Sequence, residues 1–172
     1  MHGIDYLNLL NLKKPVKTGK NVVVVGGGDV AIDAAREALR QGAAEVKMVY
    51  RRSRDEMPAV KHEIQSAEEE GIKIELLVNP IAVLSEGGKL TGLRCIKMAL
   101  GEPDESGRRR PVPVEGSEFD IPCDMMIPAI GQQVNPAFLE GTDGVELTRW
   151  GTVAANALTY QTSVPGIFAG GD

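Results

Sequence analysis

The sequence predicts a three-layer α/β fold built on a parallel sheet, with an antiparallel β-meander set into it. Three observations predict it. Val22-Val23-Val24-Val25 is an apolar β-branched run suited to a strand buried on both faces, and Gly26-Gly27-Gly28 turns it directly into a helix-forming pattern. A second strand pattern, Glu45-Val46-Lys47-Met48-Val49-Tyr50, follows that helix and completes a βαβ-type start. From Ile81 onward the chain changes to long apolar runs joined by Ser85-Glu86-Gly87-Gly88, the pattern of strands linked by a hairpin.

Taken in order, residues 1–19 carry Ile4, Leu7, Leu9, Leu10 and Leu12 before Lys13-Lys14-Pro15, read as one or two helical turns and a linker. The first firm helix covers residues 29–41, with Val30, Ala31, Ala34, Ala38 and Leu39 as its packing stripe and Gly42 as its left-handed stop. Asp33 and Arg36 lie one turn apart on it. The simplest reading is a solvated i,i+3 contact; the other is that Asp33 reaches a neighbouring loop. A second amphipathic helix opens near Pro58, carries Val60, Ile64 and Ala67, and stops at Gly71 after Glu68-Glu69-Glu70, a run read as its solvated end. Residues 72–77 form a third strand. In the meander, residues 81–84 turn into the long run 90–100. Residues 101–118, rich in acids, arginines and prolines, are expected as an exposed, mobile hairpin loop before residues 119–121 return. Residues 125–131 make a buried last strand, with Pro128 towards its end because proline cannot donate to a ladder. Beyond Gln132 the chain becomes glycine-rich and weakly periodic, and it ends in an apolar strand running into Gly170-Gly171-Asp172. The expected division is residues 1–19, 20–131 and 132–172.

Composition narrows the function. The 172 residues, 42% hydrophobic and 25% charged, can bury a real core. A net charge of −5 with only 4% aromatics argues against a nucleic-acid surface, so any anion site is a local one. Cys95 and Cys123 stand far apart with no metal-ligand spacing, which reads as two reduced, partly buried thiols and no metal site. No apolar run approaches the ~20 residues of a membrane span and no leader pattern opens the chain, so a cytoplasmic location off the membrane is expected.

The chemistry concentrates at two places. In Gly26-Gly27-Gly28-Asp29-Val30-Ala31, Gly26 permits the sharp exit from the strand and Gly28 lets a pyrophosphate approach bare backbone. Ala31 is the small residue where helix and strand press together, and the amides opening the helix face the phosphates. The alternative is a tight strand-to-helix connection with no ligand. At the end of the next strand, folds that prefer NAD place an acid for the ribose 2′-hydroxyl, whereas this chain has Arg51-Arg52-Ser53-Arg54. Three guanidiniums there suit a 2′-phosphate, because arginine chelates phosphate with paired donors and stays charged. The alternative is a solvated basic loop, and the position about 20 residues beyond the glycine turn favours the phosphate. Lys61 and His62 sit on the first turns of the second helix, His62 reading as a surface histidine rather than a base.

Seven ordered motifs carry a family likeness: residues 22–33 with Gly26-Gly27-Gly28-Asp29, Tyr50-Arg51-Arg52-Ser53-Arg54, Glu56-Met57-Pro58-Ala59, Leu100-Gly101-Glu102-Pro103-Asp104, Arg108-Arg109-Arg110-Pro111, Pro128-Ala129-Ile130-Gly131-Gln132, and Ile167-Phe168-Ala169-Gly170-Gly171-Asp172. Together they resemble the glutamate synthase small (beta) subunit family, FAD-dependent NADPH oxidoreductases. The resemblance implies a Rossmann-like three-layer FAD/NAD(P)-binding domain in which an NADPH domain interrupts a flavin domain. It implies that Gly26, Gly27, Gly28, Asp29 and Val30 line the pyrophosphate turn, and that Arg51 and Arg52, supported by Arg54, hold the 2′-phosphate. Ala129, Ile130 and Gly131 would pass beneath the nicotinamide half, and Gly171 and Asp172 would touch FAD. The family's cysteine-rich iron–sulfur segment and first glycine fingerprint are absent from this stretch, so the expectation is a fragment that does not hold FAD firmly by itself.

Hydride transfer between two rings asks mainly for their alignment, so no catalytic dyad is expected. The leading expectation is an NADPH-binding domain passing hydride to FAD and electrons onward through iron–sulfur centres. Its partners would be the remainder of the FAD domain and an iron–sulfur domain or the glutamate synthase large subunit. An NADPH-dependent ferredoxin reductase is the alternative acceptor arrangement, and a nucleotide-sensing or subunit-docking module working through residues 101–118 is the non-enzymatic one. A thiol–disulfide reductase would need a close cysteine pair.

Overall fold

A computed structural model describes residues 1–104, 107–131, 135–139 and 141–170. It divides into two compact units, Met1–Gly131 and Gln132–Asp172.

In the first unit the elements are α1 (Gly3–Asn11), β1 (Asn21–Val25), α2 (Asp29–Arg40), β2 (Glu45–Tyr50), α3 (Lys61–Glu69), β3 (Lys73–Leu76), β4 (Val78–Glu86), β5 (Lys89–Pro103), β6 (Arg109–Pro113), β7 (Phe119–Pro122) and β8 (Met125–Pro128), with a short 3-10 turn at Arg54–Glu56. Strands β3, β2, β1 and β8 lie in that order in a parallel sheet. A second, antiparallel sheet runs β4, β5, β6, with β7 also paired to β5. The architecture is the three-layer Rossmann-like fold that the glycine turn and the meander predict.

The valine run explains the layering. Side chains alternate along a strand, so Val22 and Val24 face the helices, where they join Ala31, Ala34, Ala35, Ala38 and Ile64. Val23 faces the other way, into a core of Val49, Val78, Leu93, Cys95, Ile121 and Cys123 supplied by the meander. A fully buried valine is worth roughly 1.5–3 kcal/mol, so both faces of β1 are strongly specified. The four α2 alanines, all fully buried, let that helix sit close against the sheet. Gly42 ends α2 with φ at +93°, the left-handed stop its position predicts.

Some elements differ from expectation. Residues 1–19 hold a full nine-residue helix, and Tyr6, outside the leucine pattern, is completely buried with its hydroxyl 2.9 Å from Thr18 Oγ1. Much of the segment 101–118 is strand rather than loop, since β5 runs on to Pro103 and β6 pairs back onto it. Prolines at 103, 111 and 113 disguised that pairing; Pro103 ends β5, and β6 tolerates Pro111 and Pro113 as the outer strand of its sheet. Arg36 does not close on Asp33. It donates from Nε to Glu70 Oε1 at 2.8 Å and pairs with Glu63, while Arg54 and Glu68 form a second clasp. The glutamates at the end of α3 are therefore anchors, not a merely solvated end. Burial, then the charge of Glu63, push the Asp33 carboxyl upward.

The second unit contains a 3-10 turn at Pro136–Leu139 and isolated bridges Leu147 to Val153, Ala155 to Thr162 and Gln161 to Phe168. Arg149 stacks over the Trp150 ring at 4.5 Å from its centre.

Candidate functional site

The glycine turn sits between three neighbours that account for each glycine separately. Gly26, at φ +149°, donates its amide to Val49 O, and a Cβ on it would collide with Ala129 O. A Cβ on Gly27 would strike the Tyr50 ring at 2.5 Å. Gly28 differs, because the nearest atom to its missing Cβ is Pro58 Cγ at 3.7 Å, an ordinary contact. The first two glycines are demanded by the protein itself and the third faces room. Gly28 then caps α2 with extended backbone, and no described protein group accepts from the amides of Gly28, Asp29 or Val30. These are the orphan donors of a helix start, aimed where an anion would sit.

The segment after β2 folds back over this turn. Tyr50 donates its hydroxyl to Glu56 O at 2.7 Å, Ala59 donates its amide to Gly27 O at 3.2 Å, and Val60 donates its amide to Asp29 Oδ1 at 3.0 Å. Ser53 and Glu56 form a capping box that rounds the corner. Asp29 thus offers its amide to the site while its carboxylate holds the start of α3.

The three arginines part company. Arg51 is exposed, with no ion pair or hydrogen bond among the described residues. Arg52 is 5% exposed and turned inward: Nη2 donates to Asp104 Oδ2 at 2.6 Å and Nε to Arg109 O at 2.8 Å. Arg54 lies at the surface with both Nη atoms on the Glu68 carboxylate. Ala129 touches the glycine turn, donating its amide to Val25 O at 2.7 Å. Beyond it Ile130 is 73% exposed and Gly131 has φ +103°. The geometry brings Gly26, Gly27, Gly28, Asp29, Val30 and Ala129 together, with Arg51 opening the loop that folds back over the turn; Gly171 and Asp172 lie outside the described residues. His62 is exposed, its Nε2 3.3 Å from Glu63 Oε1.

Two partners had no local signal: Asp104, 52 residues from Arg52 in sequence, and Tyr50, whose ring decides Gly27. Cys95 and Cys123 are both free and buried, and Cys123 lies opposite Thr91, not opposite Cys95. Burial pushes each thiol up to about 11, the opposite of a reactive pair. Among the described residues no group of side chains could hold a metal ion, and no helix is long and apolar enough to cross a membrane.

A family model described as pyridine nucleotide-disulphide oxidoreductase matches residues 2–172. The chain is 54% identical over 171 residues to the NADP(+)-dependent formate dehydrogenase subunit beta of Moorella thermoacetica, covering 99% of this chain and 24% of that protein. It is 45% identical over 157 residues to the glutamate synthase (NADPH) small chain of Halomonas elongata, covering 90% of this chain and 33% of that one. The chain thus spans only 24% to 33% of the length of these relatives. Thioredoxin reductase of T. acidophilum has the same fold, with a TM-score of 0.67 at 22% identity over 89% of this chain and 44% of that one.

Proposed function

The chain belongs to the pyridine nucleotide-disulphide oxidoreductase family, a domain of FAD/NAD(P)-binding oxidoreductases, and from that premise we propose that it is the NADPH-binding part of a flavin-dependent electron-transfer enzyme. The observation that carries this reading is the set of unengaged amides at Gly28, Asp29 and Val30, beside the one glycine whose missing Cβ leaves room. The pyrophosphate of NADPH sits on those donors, where the α2 dipole favours negative charge. The loop opened by Arg51 meets the 2′-phosphate, and Ala129, Ile130 and Gly131 run under the nicotinamide half.

NADPH, when bound, supplies a hydride for the flavin, and the protein contributes alignment. The residues suit that role, since Gly26, Gly27, Gly28, Asp29, Val30 and Ala129 gather around one turn. Gly171 and Asp172 are assigned to the FAD side. The remainder of the FAD domain is the first partner, followed by iron–sulfur centres on an adjoining domain or on a large subunit of the glutamate synthase kind. Both relatives described above carry NADP or NADPH in their names, which supports the cofactor, while glutamate synthase remains one acceptor arrangement within the family. The two cysteines, buried, unbridged and pushed up to about 11, support electron transfer through the flavin rather than through a disulfide.

The test is anaerobic stopped-flow mixing of the complete, flavin-loaded protein with each nicotinamide. Flavin absorbance should bleach at least about tenfold faster with NADPH than with NADH at equal concentration, the discrimination that charge-assisted bonds to one phosphate supply. Equal rates would overturn the assignment.

A further inference from the structure

Resting on the NADPH reading, we infer that Arg52 is a positioning residue held by Asp104, and that Arg51 bears the discrimination for the 2′-phosphate. The arginine pair looks symmetrical in sequence and is not so in space. The Arg52 side chain is 6% exposed and sends Nη2 to Asp104 Oδ2 and Nε to Arg109 O, both groups of the β5–β6 hairpin. Its own carbonyl accepts the Leu77 amide at 3.1 Å, and Leu77 O accepts the Met98 amide at 2.7 Å. Leu77 pays for this with φ at +56°, a left-handed backbone that a leucine adopts only where its surroundings hold it. Side chain and main chain of Arg52 are thus both moored to the meander.

That mooring decides the roles. For Arg52 to grip a phosphate, its buried guanidinium would have to give up both the half-buried Asp104 carboxylate and the Arg109 carbonyl that compensate it, and taking the partners from a buried charge is strongly destabilising. Arg54 is different, because its clasp with Glu68 is exposed on both sides and such pairs contribute little, so a phosphate can recruit it cheaply. Arg51 has no protein partner to leave among the described residues. The β5–β6 hairpin is therefore a brace for the phosphate loop, fixing where Arg51 projects.

The experiment compares adenosine 2′,5′-bisphosphate with adenosine 5′-monophosphate, by calorimetric titration of the complete protein; the ratio of affinities reads the 2′-phosphate alone. Arg51→Gln should lower that ratio about tenfold. Arg52→Gln and Asp104→Asn should each lower it about threefold, leave monophosphate binding unchanged, and together do no more than either alone. In parallel, Asp104→Asn should speed amide hydrogen exchange across residues 50–56 in the absence of nucleotide. Tighter bisphosphate binding by Asp104→Asn, or loss of the whole ratio in Arg52→Gln with no change in Asp104→Asn, would overturn the inference, since either result makes Arg52 the ligand. If the unaltered protein shows no preference for the bisphosphate, the NADPH reading fails by itself. The exchange measurement then decides the brace: faster exchange upholds it and unchanged exchange overturns it.

Discussion

The Tyr50 ring fills the space that a side chain on Gly27 would need, with Cδ2 2.5 Å from the position of the missing Cβ. Strand end and glycine turn are therefore interlocked before any ligand arrives, and the glycines of the turn separate into two kinds. Gly27→Ala and Gly26→Ala should each destabilise the fold by about 3 kcal/mol, through overpacking against Tyr50 and Ala129 respectively. Gly28→Ala should change stability by under about 1 kcal/mol, because its nearest neighbour is 3.7 Å away, yet weaken nucleotide binding about tenfold by crowding the pyrophosphate. Chemical denaturation and titration on the same three variants check the contrast.

Helix α1 should belong to the folding unit. Tyr6 is fully buried against the helix face of the sheet and bonded to Thr18, so Tyr6→Ala should destabilise by about 3–5 kcal/mol and Tyr6→Phe by about 1 kcal/mol. Thermal unfolding of the two variants separates the packing contribution from the hydroxyl.

The clasps that α2 and the 54–56 turn make with the end of α3 should show in acid. The Arg36 hydrogen bond holds the Glu70 carboxyl below the usual carboxylate range, and the Arg54 bond does the same to Glu68. A carboxyl lowered in the folded state contributes stability that is present above its unfolded value and lost as pH falls through the folded one. The melting temperature should therefore drop below about pH 4.5, and Arg36→Ala, weaker by about 1 kcal/mol at neutral pH, should show a shallower drop.

The thiols should behave oppositely. Cys95 and Cys123 titrate near 11 in the folded protein because burial disfavours the thiolate, so both should resist alkylation at pH 8 and react together on unfolding. A raised thiol contributes stability that is present below its unfolded value and lost as pH rises towards about 11, so the fold should weaken across that alkaline window. Rapid labelling of either native cysteine would contradict the placement.

The fold was legible because its signals are local. A β-branched run buried on both faces, a glycine turn and an alanine-rich stripe each declare themselves within a dozen residues, and the structure places β1 and α2 accordingly. What escaped was non-local. Tyr6 is one aromatic in a short pattern of leucines, and nothing beside it announces a sheet waiting for its ring. Two prolines made β6 read as loop, although an outer strand has ladder positions without a required donor. The site divided in the same way: the glycines could be named from spacing, while the separate fates of Arg51, Arg52 and Arg54 depend on Asp104 and Glu68, which meet them only after folding.

Equilibrium titration of the complete protein with both nicotinamides tests most directly whether this turn binds NADPH in preference to NADH. NADPH should bind at least about tenfold tighter, with the difference largely erased in Arg51→Gln. Equal affinity for the two in the unaltered protein, or an undiminished preference in Arg51→Gln, would contradict it.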